Sequence, residues 1–432
     1  MSQNLTKATK EAGAPAAPTV RARVTRRLTT PRVLLILAGA LVLLSLLRVV
    51  TGADDLTGSG QYGAALSAAV PIGLAGLGGL WAERSGVVNI GLEGMMMLGT
   101  FAAGWIGWQY GPWAAALAGV VGGALGGLLH ALATVTFGVD HIISGVALNI
   151  VAQGLTQFLA KLWFGADGSA AAQAGGTDKS SPVMADMPTF TVPGLSSGLL
   201  SVEKHHWFLL SDLAGILGSL VTQVSWLTVV AVAVFAGSFF LLWRTAFGLR
   251  LRACGESPVA AESLGVNVYL HKYAALTVSG ALAGLGGAFL AIYVHIYQDG
   301  QTGGRGYIGL ATMIFGNWRP GGVALGAGLF GFTDALQLRS GSPVIHALLL
   351  LLALALLALG VWKLRAGRRI QGGAGVLVAV VLGLWYALSD SVPLEVVSVA
   401  PYIATLLVLS LAAQRLRMPK ADGKPYRRGH ST

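Results

Sequence analysis

Twelve apolar runs of spanning or near-spanning length follow one another along the 432 residues, and nothing else in the chain restricts its fold as much. They cover 33–50, 63–80, 90–109, 112–137, 141–164, 226–243, 272–297, 307–317, 321–338, 343–362, 374–389 and 394–412. A helix needs about 20 apolar residues to cross a bilayer. Within hydrocarbon, a segment must satisfy its own backbone hydrogen bonds. The expected fold is therefore all-α, a polytopic transmembrane helical bundle. Only 11% of the residues are charged, and 61 are glycine, as suits membrane helices that approach closely through small residues.

The formal net charge of +11 does not point to nucleic acid, because of where the charges lie. Seven basic residues precede the first run (Lys7, Lys10, Arg21, Arg23, Arg26, Arg27, Arg32) and six follow the last (Arg415, Arg417, Lys420, Lys424, Arg427, Arg428). Two further groups are Arg244, Arg250, Arg252, Lys272 and Lys363, Arg365, Arg368, Arg369; the four groups hold 21 of the 29 lysines and arginines. Acidic loops alternate with them: Asp54 and Asp55, then Asp167 to Asp212, then Asp299. This is the positive-inside pattern. It places both termini in the cytoplasm, which an even number of crossings allows.

Residues 1–32, rich in Ala, Pro, Thr and basic side chains, read as a disordered basic cytoplasmic tail and not as a signal peptide, which would carry an apolar core and a small-residue cleavage site. Residues 33–412 form the membrane domain and 413–432 a second basic tail. Within the membrane domain, 165–225 is an external loop, flexible at first, with a surface helix expected around Trp207–Leu220. The single cysteine, Cys254, excludes an intramolecular disulfide and offers no metal cluster.

The stretch Glu83-Arg84-Ser85-Gly86-Val87-Val88-Asn89-Ile90-Gly91-Leu92-Glu93-Gly94 sits between two apolar runs. Asn89 and Glu93 are four residues apart, so on one face if the backbone there is helical. Polar groups on glycine-broken backbone at membrane depth are costly unless they line a cavity or a protein interface. The stretch is thus the first candidate for a transport path. A mid-membrane charge costs roughly 2.5–3.5 kcal/mol, so Glu93 needs a partner: a solute, Arg84, or another helix. Asn149 offers a contact to solute or an interhelical hydrogen bond. Arg305, expected near the external face, is either a contact residue or an exposed loop arginine. The runs 307–317 and 321–338 read as half-helices meeting at Asn317-Trp318-Arg319-Pro320-Gly321-Gly322, where Trp318 lines the path or anchors the break. Asp140 and His141 read as a helix cap and an interface residue.

No catalytic constellation is present: there is no HExxH, no P-loop lysine and no nucleophile elbow. Gly326-Ala327-Gly328-Leu329-Phe330-Gly331 matches GxGxxG but lies inside an apolar run with no preceding strand, so it reads as packing. No cofactor or metal is called for. Gly119, Gly123 and Gly127 recur every four residues, as do Gly280 and Gly284, marking close-packing faces. Leu74-Ala75-Gly76-Leu77-Gly78-Gly79 recurs as Leu282-Ala283-Gly284-Leu285-Gly286-Gly287, hinting at an internal repeat.

Residues 244–271 are basic and polar. Pro258 suits the first turn of a helix, Ala260–Leu264 the helix, and Gly265 its end. This is an ordinary loop or a helix that docks on a partner.

Together Glu83–Met97, Phe247–Val268 and Gly304–Leu338 resemble the permease subunit of bacterial ATP-binding-cassette importers. The resemblance is to the branch handling nucleosides and simple sugars, related to the branched-chain amino acid and ribose permeases. Three motifs carry it: Asn89-Ile90-Gly91-Leu92-Glu93-Gly94; Phe247-Gly248-Leu249-Arg250-Leu251-Arg252-Ala253 with Gly255-Glu256, Ala260-Ala261 and Gly265; and Gly304-Arg305-Gly306-Tyr307-Ile308 with Phe315-Gly316-Asn317-Trp318 and Pro320. It covers roughly 60–340 and 391–428.

The resemblance implies a multi-pass protein of the bacterial plasma (inner) membrane with about ten core spans. It makes 244–271 the cytoplasmic coupling segment, with Arg250, Arg252, Gly255, Glu256, Ala260, Ala261 and Gly265 facing or supporting separate ATPase subunits. It also implies an extracytoplasmic substrate-binding protein and a second permease subunit, either a copy of this chain or, more typically in the nucleoside branch, a related non-identical chain. The substrate path would involve Asn89, Glu93, Asn149, Arg305, Asn317 and Trp318. Where the family passes quickly from the equivalent of Asp334-Ala335-Leu336-Gln337 to a final span, residues 341–390 intervene here and read as an inserted helix pair.

Two other classes stay open at this level. A proton-coupled secondary transporter would use Glu93 and Asp334 as its relay. A structural subunit would tolerate alanine at Asn89, Glu93 and Asn149. An amide-lined path with few charges suits a nucleoside or simple sugar, and also an amino acid zwitterion.

Overall fold

The computed structural model describes residues 30–336, 341–393, 396, 399 and 416–427. The expected span over 394–412 lies almost wholly outside these, as do residues 1–29 of the first tail. The chain divides into two units, 1–43 and 44–432. The described part of the first is the beginning of helix α1 (Thr30–Thr51), and every later element belongs to the second.

Caps and prolines set most helix boundaries. α2 (Ser59–Arg84) and α3 (Leu92–Tyr110) flank the stretch 85–91, and Pro112 opens α4 (Pro112–Ala131), which runs on through a π turn at Leu132–Thr136. The Asp140 carboxylate accepts from Ile142 N at 2.9 Å and Ile143 N at 3.0 Å, starting α5 (His141–Trp163). Side chains of Ser225, Thr245 and Asn267 cap α9 (Trp226–Arg244), α10 (Ala246–Glu256) and α12 (Val268–Val294) in the same way. Pro258 and Pro320, which lack the N–H a first turn cannot use, open α11 (Pro258–Ser263) and α14 (Pro320–Ala335). Between α12 and α14 lies α13 (Arg305–Phe315).

Seven helices among the described residues are long and apolar enough to cross a membrane: Asp54–Arg84, Pro112–Thr136, His141–Trp163, Trp226–Arg244, Val268–Val294, Pro343–Arg365 and Arg369–Leu388. Helices α13 and α14 are separate short pieces, as their turn residues predict, and neither spans alone.

The centre is α12, enclosed by α2, α3 and α4. The two glycine ladders face each other. A Cβ on Gly123 would stand 2.2 Å from Gly280 O, and one on Gly284 2.2 Å from Gly119 O. The backbones of α4 and α12 therefore touch, a contact that only glycine permits.

The six-residue repeat also has a structural counterpart. A Cβ on Gly78 would meet Ser279 O at 2.6 Å, and one on Gly286 would meet Pro71 O at 2.9 Å. Advancing Gly78 and Pro71 by the repeat offset gives Gly286 and Ser279. α2 and α12 thus cross through equivalent contacts, as two members of an internal repeat do.

The segment 165–225 holds α6 (Ala170–Gln173), α7 (Leu195–Glu203), α8 (Leu210–Ser219) and a two-stranded antiparallel sheet of β1 (Thr189–Phe190) and β2 (Val224–Ser225). Its first part, expected to be flexible, is pinned to the chain after α12: Ser181 N donates to Tyr297 O at 3.0 Å and Met184 N to His295 O at 2.7 Å. Its helical part is held through Asp212, which is buried. That carboxylate accepts from Ser45 Oγ at 2.6 Å and from Thr57 Oγ1, and pairs with Arg48 Nε at 2.7 Å. Burial alone raises a carboxyl; here the Ser45 and Thr57 hydroxyls and the Arg48 guanidinium outweigh it and hold Asp212 below the usual range. Residues 341–390 form a helical hairpin of α15 (Gly341–Arg365) and α16 (Arg369–Leu388), turning at Gly367 with φ +79°. Val344 and Ala347 of α15 pack on Leu47, Leu56 and Leu336.

Candidate functional site

The stretch between α2 and α3 turns back alongside α2 instead of leaving it. Gly78 and Gly79 lie beside the Leu92 side chain, at 3.5 and 3.1 Å from where their Cβ atoms would be. Those glycines sit five and six residues before the end of α2, about 8 Å along the helix. So α3 begins within the bundle, not at the end where α2 stops. The segment 295–304 does the same between α12 and α13. The bundle therefore contains two buried helix N-termini, each with backbone N–H groups that no helical carbonyl can satisfy.

Sequence-predicted polar residues fill those vacant positions. Glu93, 2% exposed, accepts from Gly304 N at 2.9 Å and Gly306 N at 2.7 Å, capping α13 from another helix. A Cβ on residue 306 would stand 2.6 Å from Glu93 Cα, so the glycine there permits the approach. Asn149 accepts from Gly94 N at 2.7 Å and donates to Ile90 O and Tyr307 Oη at 3.0 Å each. Asn89 accepts from Gly91 N at 3.0 Å and donates to Ser279 Oγ at 2.9 Å. One carboxylate and two amides thus join α3, α5, α12 and α13. A carboxylate at a helix N-terminus is also favoured by the helix dipole.

Arg305 is not an exposed loop residue. It is the first residue of α13, partly buried, and pairs with Asp334 of α14 at 2.7 Å. The carboxylates of Glu93 and Asp334 thus have separate partners, which leaves the proton relay without a connection. Nor does Glu93 pair with Arg84.

Near the C-terminal end of α2, Asn317 and Trp318 both take left-handed φ of 53° and make the break between α13 and α14. Trp318 is buried. Its Nε1 donates to Glu83 Oε2 at 2.6 Å, and its carbonyl accepts from Arg84 Nε at 3.0 Å. The Arg84 guanidinium and that of Arg252 both lie over the Trp243 ring, at 5.5 and 5.4 Å. Asn317 Oδ1 accepts from Arg417 N at 2.7 Å. Six residues read as one path therefore occupy two places. Asn89, Glu93, Asn149 and Arg305 surround the buried helix starts, and Asn317 and Trp318 lie at the α13–α14 break beside the end of α2.

The segment 244–271 holds α10 and α11 joined at Ser257. Arg250, Glu256, Ala260 and Gly265 are exposed, whereas Gly255 and Ala261 are buried and Arg252 is partly so. A Cβ on Gly255 would stand 2.4 Å from Arg84 O, which ties α10 to the end of α2. Gly265, at φ +80°, ends α11, and Leu264 beside it is 85% exposed. Cys254 is buried in α10, and burial pushes its thiol up to about 11, so it is a packing group and not a reactive one. No group of three or more His, Cys, Asp or Glu suited to a metal occurs among the described residues.

The sequence carries no local sign of Asp422, 7% exposed, in a tail that reads as merely basic. Burial pushes its carboxyl up to about 6, against the opposing pull of Glu83, the Gly423 N–H, Lys272 and Arg84. A carboxyl raised above its free value of 3.8 binds its proton more tightly when docked. Docking is thus strongest below about pH 4 and is lost as pH rises to about 6 and beyond. Trypsin cleavage after Arg417 and Lys420, measured against an isolated peptide of the same sequence, is expected to be faster at pH 8 than at pH 5.5.

Residues 61–359 match the family model for the branched-chain amino acid transport system / permease component. Among similar proteins, the guanosine ABC transporter permease protein NupQ of Bacillus subtilis is 34% identical over 85% of this chain and 96% of its own length. The nucleoside ABC transporter permease protein NupC of Lactococcus lactis is 32% identical over 82% and 93%, and the putative glucose ABC transporter permease protein TsgC13 of Haloferax volcanii 31% over 86% and 98%. No solved structure matches the chain with significance. These matches show that the chain belongs to the branched-chain amino acid transport system / permease component family, and is a multi-pass membrane permease subunit of an ATP-binding-cassette transporter, not an enzyme.

Proposed function

We propose that this subunit carries a nucleoside inward across the plasma membrane, with simple sugars as the next class of solute. The observation that carries the proposal is the match to NupQ and NupC across more than four-fifths of the chain. A path framed by Asn89, Asn149 and Tyr307, with Glu93 and Arg305 already neutralised, suits an uncharged polar solute better than a zwitterion. Energy comes from separate ATPase subunits docked on α10 and α11. Solute comes from an extracytoplasmic binding protein, and a second, related permease completes the path. Both termini and 244–271 lie in the cytoplasm, 165–225 lies outside, about ten spans form the core, and 341–390 is an added pair.

In this mechanism, ATP-driven closure of the ATPases moves α10–α11. The Gly255–Arg84 contact passes the movement to α2, and Arg84 with Glu83 passes it to Trp318 and the α13–α14 break. Glu93 and Asn149 keep the helix starts together while the break opens or shuts the inner end.

The test of substrate class is ATPase stimulation in the reconstituted complex by its binding protein. Loading with guanosine should stimulate at least fivefold and loading with leucine should not; the reverse result would contradict the proposal. For the coupling role, Glu256→Trp or Gly265→Trp should lower solute moved per ATP at least tenfold while the subunit still assembles in the membrane. Normal coupling in both would remove 255–265 from the mechanism.

A further inference from the structure

The segment 416–427 is a strap laid across the coupling region, and it touches more elements than its length suggests. At its start, Arg417 N donates to Asn317 Oδ1 at 2.7 Å, at the α13–α14 break. Ala421 N donates to Gly255 O at 2.9 Å, at the end of α10. At Gly86, in the stretch after α2, a Cβ would stand 3.1 Å from Gly255 Cα and 3.3 Å from Ala421 O, so three backbones meet there. Gly423 turns the strap at φ +75°. Tyr426 Oη then donates to the Glu262 carboxylate of α11. The Tyr426 ring lies 5.7 Å from Tyr269 and 5.7 Å from the Lys272 ammonium, both on α12.

The electrostatics make this more than incidental packing. Lys272 is 3% exposed, and an ammonium that deep needs compensation. The strap supplies it, with the Tyr426 ring on one side and the buried Asp422 carboxyl nearby. Asp422, 7% exposed, sits against Glu83 of α2 and the Gly423 N–H, so the strap brings a buried carboxyl to the junction of α2 and α12. Pro419, Ala421 and Asp422 face inward, while Lys420, Lys424 and Arg427 stay in solvent.

We propose that residues 416–427 are a working part of the coupling machinery: a clasp that binds α10–α11 to the inner ends of α2 and α12 and to the α13–α14 break, so that these move as one body. Apart from the strap, α10 is seated on the bundle through Gly255 against Arg84, the Phe247 ring against Trp81 and His271, and the buried Leu251. α11 is held through Ala261 against Cys254 and Val268. The strap adds the Tyr426 bond to Glu262, so without it a push on α11 is passed on less directly. The clasp rests on the reading of α10–α11 as the ATPase contact.

The test uses the full chain in its complex, with Tyr426→Ala, Ala421→Pro (which removes the N–H donated to Gly255) and the conservative Tyr426→Phe. Two quantities are read: amide hydrogen exchange over 250–265, and solute moved per ATP hydrolysed. The expected result is at least tenfold faster exchange over 250–265 in Tyr426→Ala and Ala421→Pro, with exchange in α4 and α5 unchanged. Solute moved per ATP should fall at least fivefold in both, while Tyr426→Phe, which keeps the ring over Lys272 but loses the bond to Glu262 of α11, should fall between them and the unaltered chain. Unchanged exchange would overturn the clasp. Faster exchange with an unchanged ratio would also overturn it, leaving a purely structural tail. If the unaltered complex shows no ATP-dependent uptake, the importer reading fails instead, and the exchange result alone decides whether the strap holds the segment.

Discussion

Glu93→Ala is expected to destabilise the subunit by about 2–4 kcal/mol and to reduce uptake more than tenfold. The Glu93 carboxylate accepts from Gly304 N and Gly306 N at the buried start of α13. Alanine leaves both N–H groups without an acceptor, and each such buried group costs about 1–3 kcal/mol. Against this, removing a charge from membrane depth recovers part of the roughly 2.5–3.5 kcal/mol that its insertion costs. The loss should win, because the carboxylate is already neutralised by two N–H groups and the helix dipole. Glu93→Gln keeps one acceptor oxygen and should fall between. Thermal unfolding in detergent reads the stability and uptake the function. Full stability and full uptake in Glu93→Ala would mean that α13 does not need its cap.

Gly284→Leu is expected to do more damage still. A Cβ at 284 would stand 2.2 Å from Gly119 O on α4, closer than any real contact, and Gly119 O is main chain that cannot rotate away. α4 and α12 would have to separate along the whole Gly119–Gly127 ladder, losing packing that membrane helices depend on in place of a hydrophobic drive. Overpacking commonly costs about 1–3 kcal/mol, and here the obstruction is backbone on both sides, so at least the upper end is expected. Gly237→Ala is the control: nothing lies within 4 Å of a Cβ there, and alanine in a helix is favoured over glycine by up to about 1 kcal/mol. Folded yield and melting temperature distinguish the two. Equal behaviour would contradict the backbone contact.

Much of the architecture is legible in sequence because membrane helices leave strong local signals. Four-residue glycine spacing marks the α4–α12 contact, and Pro320 after Asn317-Trp318 marks the break between two short helices. Pro258 and Gly265 bracket α11, although α10 is readable only as a basic stretch. The partners of the polar residues are not legible. Nothing local links Glu93 to Gly304 and Gly306, more than 200 positions away, or Trp318 to Glu83. Arg305 can pass for exposed because its partner, Asp334, sits in a different helix. The tail is the least legible part: Lys420, Lys424 and Arg427 give it the look of a solvated basic end, and only the fold shows Asp422 and Tyr426 turned inward beside Lys272. The first part of 165–225 passes for flexible for the same reason, since its anchors are backbone bonds to 295–297 that composition does not encode.

The decisive measurement is radiolabelled guanosine uptake into proteoliposomes holding this chain, its partner permease, the ATPase and the binding protein, with and without ATP on the cytoplasmic side. Uptake that requires both ATP and the binding protein is the predicted result, and it would establish this chain as the passive, coupled half of an ATP-driven importer. Uptake that proceeds without ATP and collapses with an uncoupler would contradict it.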